Sequence, residues 1–155
     1  MKKTDCDGAI PGYTGFHPHL IGSNFYAGVK TGDNGKILEI KEKYSYEPDK
    51  LKGWHSCGMY YFKSGKLAKK YFTTHAAGPS HANGEYYIST VYNDMIKDGL
   101  ICLNYPIDFF CQWGTPEDLK EYELWLQRLK NGYQPKTADE KLTRDYWQRF
   151  LHLTP

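Results

Sequence analysis

Little in this sequence belongs to the specialised protein classes. Of its 155 residues only four are Cys, at 6, 57, 102 and 111, with no CxxC pair and no regular framework. A chain this long does not need covalent staples to hold a core, so reduced thiols are expected rather than disulfides or a zinc site. There is no N-x-S/T acceptor site, which agrees with an intracellular protein. Apolar runs are short, as in Leu100 to Leu103, and mean hydropathy is -0.69. A spanning helix needs roughly 20 apolar residues, so no membrane segment is expected. An excess of one charge is missing too. Lys and Arg number 20 against 18 Asp and Glu, a net charge of +2, too weak a field to hold a phosphate polymer or an anionic membrane. Neither nucleic acid nor membrane is an expected partner. No apolar stretch follows the charged residues Met1 to Asp5, so no secretory signal is expected and the cytoplasm is the default location.

What is plentiful is aromatic: 16% of residues, with 14 Tyr. Sugar-binding sites often use aromatic faces, but rings at strand and helix spacings also pack cores, and most of these are assigned to packing.

Length predicts one domain, and the pattern along it alternates strands and helices. Residues 8 to 23, rich in Gly, Pro and His, read as a long loop. Asn24 to Lys30 and Lys36 to Lys43 read as strands joined by the turn Asp33-Asn34-Gly35. The run from Cys57 to Phe62 has the length and aromatic content of a buried strand. A helix is expected from Ser64 to Phe72. Another runs from Glu85 to Lys97, with Ile88, Val91, Tyr92, Met95 and Ile96 on one face, Asn83 as cap and Gly99 as stop. Leu100 to Tyr105 and Asp108 to Gln112 are strand candidates either side of Pro106. Thr115-Pro116-Glu117-Asp118 combines a capping hydroxyl, Pro at the first helical position and first-turn acids, opening a helix to about Lys130 with Leu119, Tyr122, Leu126 and Leu129 as its stripe. Past Gly132 and Pro135, Thr137 and Glu140 read as a capping box for a last helix carrying Leu142, Tyr146, Trp147 and Phe150. Residues 132–155 thus form a linker and accessory helix after a main body at 1–131.

Several constellations invite chemistry. His17-Pro18-His19 has imidazoles for a metal, but no Cys or carboxylate is spaced beside them, so a surface or substrate-edge loop is expected. His55 and Cys57 would share a face of an extended chain, yet a buried structural thiol is the expected fate of Cys57. Asp5 and Asp7, two apart, would point both carboxylates the same way, a plausible ligand set for a divalent cation. Lys43, after Glu42 at a strand end, reads by itself as an exposed edge charge.

Taken in order, NFYAGVK, ILEIKEK, GMYYF, NGEYYISTVYNDMI and QWGTPEDL resemble the second half of the sugar-phosphate nucleotidylyltransferases, or nucleoside-diphosphate-sugar pyrophosphorylases. The likeness is closest to members associated with capsule and surface-polysaccharide synthesis and covers residues 5 to about 126. It implies an α/β fold: a partial, Rossmann-like three-layer nucleotidyltransferase domain with a mixed sheet, without the N-terminal nucleotide-binding half. It implies transfer of a nucleotidyl group from a nucleoside triphosphate to a sugar 1-phosphate, releasing pyrophosphate. By position, Asp7 matches the acid that closes a central strand and holds Mg²⁺, and Lys43 the lysine on the sugar phosphate. Glu42 matches the acid of the same Glu-Lys element, Gly58 the strand that lines the sugar pocket, and Glu85 the carboxylate that accepts hydrogen bonds from sugar hydroxyls. Gln112 stands where many members place a second acidic Mg²⁺ ligand. The family's glycine-rich loop with its Arg, and its Pro-Lys element, have no counterpart. The resemblance therefore implies a fragment that does not turn over nucleotide alone, with the missing half or an intact homologue as partner. The alternative it leaves is a non-catalytic subunit that binds phospho-sugars or regulates.

Overall fold

The computed structural model describes residues 5–22, 26–78 and 85–153, with side chains to His152. The first two residues of the expected Asn24 strand and the expected cap Asn83 lie outside these. The chain divides into two compact units, Met1–Thr14 with Asn24–Asp108, and Gly15–Ser23 with Phe109–Pro155.

The first unit is built on six strands: β1 (Gly8–Tyr13), β2 (Gly28–Thr31), β3 (Ile37–Lys41), β4 (Trp54–Ser56), β5 (Tyr61–Phe62) and β6 (Cys102–Pro106). The sheet runs β3-β2-β4-β1-β5, and β6 also pairs with β1, in parallel. The other pairings are antiparallel, so the sheet is mixed, as expected. The Asp33–Gly35 turn joins β2 to β3 with Asn34 at φ 56 and Gly35 at φ 74, the left-handed conformations that Asn and Gly tolerate best. That hairpin matches its sequence signal.

Residues 8–13 do not form a loop; they are the strand β1, paired with three others. Its glycines had looked like turn signals, but a Cβ on Gly8 would stand 2.8 Å from Tyr92 Cε1, and one on Gly12 would stand 2.0 Å from Asn104 Oδ1. They are glycine because neighbours press on the strand, a use of Gly that local pattern cannot separate from a turn. The Cys57 to Phe62 run is also not one strand. Gly58 takes φ 82, Met59 is 66% exposed, and only Tyr61 and Phe62 pair, with Ala9 and Gly8.

Helices α1 (Gly65–Ala77) and α2 (Ile88–Lys97) pack on this sheet. Ser64 caps α1, accepting from Leu67 N at 3.2 Å, and α1 runs five residues past Phe72. Helix α2 begins at Ile88 rather than Glu85, with Tyr87 at its cap position offering no side-chain bond. Gly99, at φ 82, ends it as expected. The core gathers Ile10, Val29, Ile37, Ile40, Tyr71, Val91, Tyr92 and Met95. Strand β3 is an edge, and α2 covers part of it: the Asn93 amide donates to Ile40 O at 2.8 Å and accepts from Ile40 N at 2.9 Å. That bond pair occupies edge groups which would otherwise template another strand.

In the second unit, α3 (Pro116–Lys130) and α4 (Ala138–Leu153) pack around Trp125, Tyr146 and Trp147. The Thr115 capping box forms with Asp118 as its reciprocal partner. At α4, Thr137 Oγ1 accepts from Glu140 N at 3.1 Å, but the Glu140 carboxylate turns to Lys136 N at 2.7 Å. Leu119 and Leu142, expected on buried stripes, are 47% and 43% exposed. Trp125 takes the place of the first in the core. Asp108 to Gln112 is irregular rather than a strand. The His17-Pro18-His19 segment is not a surface loop: His17 is buried against the Tyr146 ring, centroids 5.1 Å apart. Among the described residues, no helix is long and apolar enough to cross a membrane.

Candidate functional site

Where β3 ends, the chain turns through Glu42 and Lys43, and Lys43 takes φ 51. A non-glycine residue in this left-handed region is uncommon and carries roughly 1–2 kcal/mol of strain. Tertiary surroundings hold it there. Glu42 lies against the first turn of α2, where the fully buried Ser89 donates its hydroxyl proton to Glu42 Oε1. Burial raises the Glu42 carboxyl above its ordinary range, and the Ser89 bond and the Lys43 ammonium only partly offset this. Two residues before Ser89, Tyr87 donates from its phenol to Glu85 Oε2. The Lys43 ammonium stands 5.8 Å from the centroid of the Tyr87 ring. The Glu85 bond is the main reason the Tyr87 phenol is raised, and Lys43 pulls the other way.

A third element completes the cluster. Ser56, at the end of β4, accepts from Gly58 N at 3.0 Å and donates to Tyr60 Oη at 3.4 Å. Tyr60 is raised by burial, with Ser56 and Ser89 bonding its phenol and Glu42 close by. Gly58, Ser56, Tyr60, Ser89, Glu42, Lys43, Tyr87 and Glu85 therefore form one polar network from three chain segments. It offers two carboxylates as acceptors for hydroxyl groups, phenol and serine hydroxyls as donors or acceptors, and one ammonium for an anion. Such a donor set suits a polyol carrying a negative group. It contains no activated nucleophile: Cys57 is buried and burial raises its thiol, the structural fate expected for it.

Of the residues singled out from sequence, Glu42, Lys43, Gly58 and Glu85 come together. Ser56, Tyr60, Tyr87 and Ser89 were missed. The tyrosines stood within the aromatic excess assigned to packing, and the serines carried no local signal. Asp7 does not join them. It precedes β1 instead of closing a strand, while Gly12, four residues into β1, is the one paired with Ser56. At about 3.3 Å per residue, Asp7 and Gly12 are roughly 16 Å apart. Asp7 Oδ2 accepts from Ile101 N at 3.0 Å, fastening β1 to the entry of β6. Asp5 and Asp7 do face one cation, but it is the Lys63 ammonium, 2.7 Å and 3.8 Å away. Among the described residues no group of three or more His, Cys, Asp or Glu side chains is placed to hold a metal ion. The Lys63 ammonium occupies the place beside Asp5 and Asp7 that a Mg²⁺ held by one or two carboxylates and substrate phosphates would take. Gln112 belongs to the other unit, where its amide donates to Asp118 Oδ1 at 3.0 Å and braces the capping box. Its Oε1 is buried without a partner.

No family model matches the chain. Among curated proteins, it is 29% identical over 113 residues to an isoleucine--tRNA ligase of a Nitratiruptor species, covering 68% of this chain and 12% of that protein. It is 34% identical over 82 residues to the isoleucine--tRNA ligase of Haemophilus influenzae, covering 48% and 9%. Among solved structures, it resembles a nucleoside-diphosphate-sugar pyrophosphorylase from Vibrio cholerae RC9, with TM-score 0.60 and 23% identity, over 75% of this chain and 46% of that one. It also resembles a CMP:2-keto-3-deoxy-manno-octonic acid synthetase complexed with CTP, with TM-score 0.51 and 11% identity, over 80% and 50%. The chain thus spans about a tenth of the ligases and about half of the solved structures. At these identities the likeness is one of fold alone: a mixed α/β, Rossmann-like fold.

Proposed function

We propose that this chain carries the sugar-phosphate half of an enzyme that transfers a nucleotidyl group from a nucleoside triphosphate to a sugar 1-phosphate. The observation that carries the reading is the gathering of Glu42, Lys43, Glu85, Tyr87 and Ser89 between the end of β3 and the start of α2. Fold likeness to a nucleoside-diphosphate-sugar pyrophosphorylase supports it, and the likeness of the motifs to surface-polysaccharide members supports capsule precursor synthesis as the proposed setting.

In the reaction, a phosphate oxygen of the sugar 1-phosphate attacks the α-phosphorus of the triphosphate. The bond from that phosphorus to the β-phosphate oxygen breaks, and pyrophosphate leaves. Such chemistry depends on holding two anions together more than on a nucleophilic side chain. Lys43 would take the sugar phosphate as a point charge. Glu85 with Tyr87, and Glu42 with Ser89, would orient the sugar hydroxyls. The groups that cradle the triphosphate, with any Mg²⁺ it brings, come from another half or an intact homologue. The isolated chain binds sugar 1-phosphate and does not turn it over.

The test is calorimetric titration of the purified chain with a panel of sugar 1-phosphates, alongside a pyrophosphate-release assay with all common triphosphates. Binding that Lys43→Ala weakens at least tenfold, with no pyrophosphate released, is the expected outcome. Absence of binding by every sugar 1-phosphate would remove the reading. Adding the N-terminal half of a pyrophosphorylase separates an incomplete enzyme, which gains turnover, from a non-catalytic phospho-sugar-binding subunit, which does not.

A further inference from the structure

Within the first unit α1 and α2 both lie on one face of the sheet, over the core that holds Ile10 and Cys102. Residues of β1 alternate across the sheet. A Cβ on Gly8 would stand against Tyr92 and Met95, one on Gly12 would stand against Asn104, and Ile10 between them is fully buried. Ala9 and Pro11 therefore point to the opposite face. The register sets Tyr61 and Leu103 on either side of Ala9, and Tyr105 beside Pro11. Together they make an apolar and aromatic patch across three strands. Water reaches it: Tyr61 is 51% exposed, Tyr105 55%, and Ile101, just before β6, 44%.

The charge pattern sets this patch apart from the rest of its face. On the β2–β3 hairpin that face carries Lys30, Glu39 and Lys41, all exposed, the alternation of strands with one side in water. Neither β1 nor β6 holds a charged residue. These two strands are also the parallel pair of the sheet. Parallel strands lack polar alternation where helices cover them on both sides. Charge returns only at the end of the patch, where Asp7, two residues before Ala9, stands 3.8 Å from Lys63, two residues after Tyr61.

We propose that this face is an interface whose occupant is a helical layer of the nucleotide-binding half, an inference that rests on the reading of the Lys43 network given above. Two observations select that occupant. A parallel pair is covered by helices rather than by a second sheet. The solved structures of like fold are matched over only 46% and 50% of their own length, so each holds further chain from which a covering layer can come. The patch becomes the dry centre of the contact, and Lys63 with Asp7 part of its polar rim.

The experiment co-expresses the full chain with the part of the Vibrio cholerae pyrophosphorylase that lies outside the fold match, and isolates the product by size-exclusion chromatography. A one-to-one complex is expected. In it, oxidative labelling of Tyr61 and Tyr105, read by mass spectrometry, should fall well below that of the free chain. A Tyr61→Lys, Tyr105→Lys double variant should weaken the complex at least tenfold, because two charges then enter the dry centre. Its circular dichroism and its affinity for sugar 1-phosphate should match those of the parent, since neither tyrosine belongs to the Lys43 network. Failure of the Lys43 reading would show as absent sugar binding, and failure of the interface as an absent complex. A complex indifferent to the double variant would also overturn the proposal. So would a dimer of this chain alone that the variant breaks, which would give the face to a second copy.

Discussion

His75 and Asp94 join α1 to α2 through one short bond: the imidazole Nδ1 stands 2.6 Å from Asp94 Oδ2, with His75 almost wholly buried. The other ring nitrogen lies 3.0 Å from Thr90 Oγ1, and Thr90 in turn donates to Tyr87 O at 2.7 Å. Tyr87 is a poor cap, and this chain of bonds secures the turn it opens. The network of Lys43 and Glu85 therefore hangs on a polar chain that passes behind it through both helices.

Removing the ring should release that turn. His75→Ala is expected to destabilise the protein by about 2 kcal/mol, the scale of a hydrogen bond to a charged partner. It should also weaken sugar 1-phosphate binding, because Tyr87 and Glu85 lose their support. Asp94→Asn keeps the shape and should have the smaller effect on both. Urea midpoints measured beside calorimetric affinities check this; a stability loss with unchanged affinity would confine His75 to structure.

Glu42→Gln should divide stability from binding. Because burial raises the Glu42 carboxyl, the folded chain holds that proton more tightly than the unfolded chain does. The resulting stability is full below the unfolded carboxyl value and is lost as pH rises through the raised folded value. Gln cannot ionise and can still accept from Ser89. The variant is expected to show a flatter stability profile above about pH 4.5 and no loss at about pH 7, while sugar affinity falls. Urea unfolding across that range for both proteins gives the comparison.

At Lys43 the backbone and the side chain can be tested separately. Its φ of 51 suits glycine, so Lys43→Gly is expected to be more stable than Lys43→Ala by about 1 kcal/mol. Both variants lose the ammonium and should bind sugar 1-phosphate equally poorly. Thermal melts with parallel titrations decide it; if Gly retained affinity, the charge would not be what holds the phosphate.

Acid should act first through His55. Burial lowers this imidazole, and its bond to Lys50 O, 2.8 Å from Nε2, only partly opposes that. A base lowered in the folded state lets the unfolded chain take the proton first. Stability is then full above the ordinary value near 6.5 and declines as pH falls through it. The pH dependence of the denaturation midpoint between about 7.5 and about 5 should flatten in His55→Gln.

The local parts of this protein were legible in its residues. Ser64, the Thr115 box with Asp118, the Gly99 stop and the Asp33–Gly35 turn each complete their bonds within a few positions, so the chain around them was enough. The family resemblance located Glu42, Lys43, Gly58 and Glu85, which the structure brings together. Strand β1 escaped because Gly8 and Gly12 answer to Tyr92 and Asn104, more than 80 residues away, and a glycine carries no mark of which neighbour needs it small. Ser89 escaped for the same reason, since its partner Glu42 is 47 residues distant. Asp7 and Lys63, paired across the start of β1, show the converse: two carboxylates spaced for a cation met one supplied by the fold. Local hydrogen bonds can be read along a chain, whereas contacts made by packing exist only once strands and helices have chosen their neighbours.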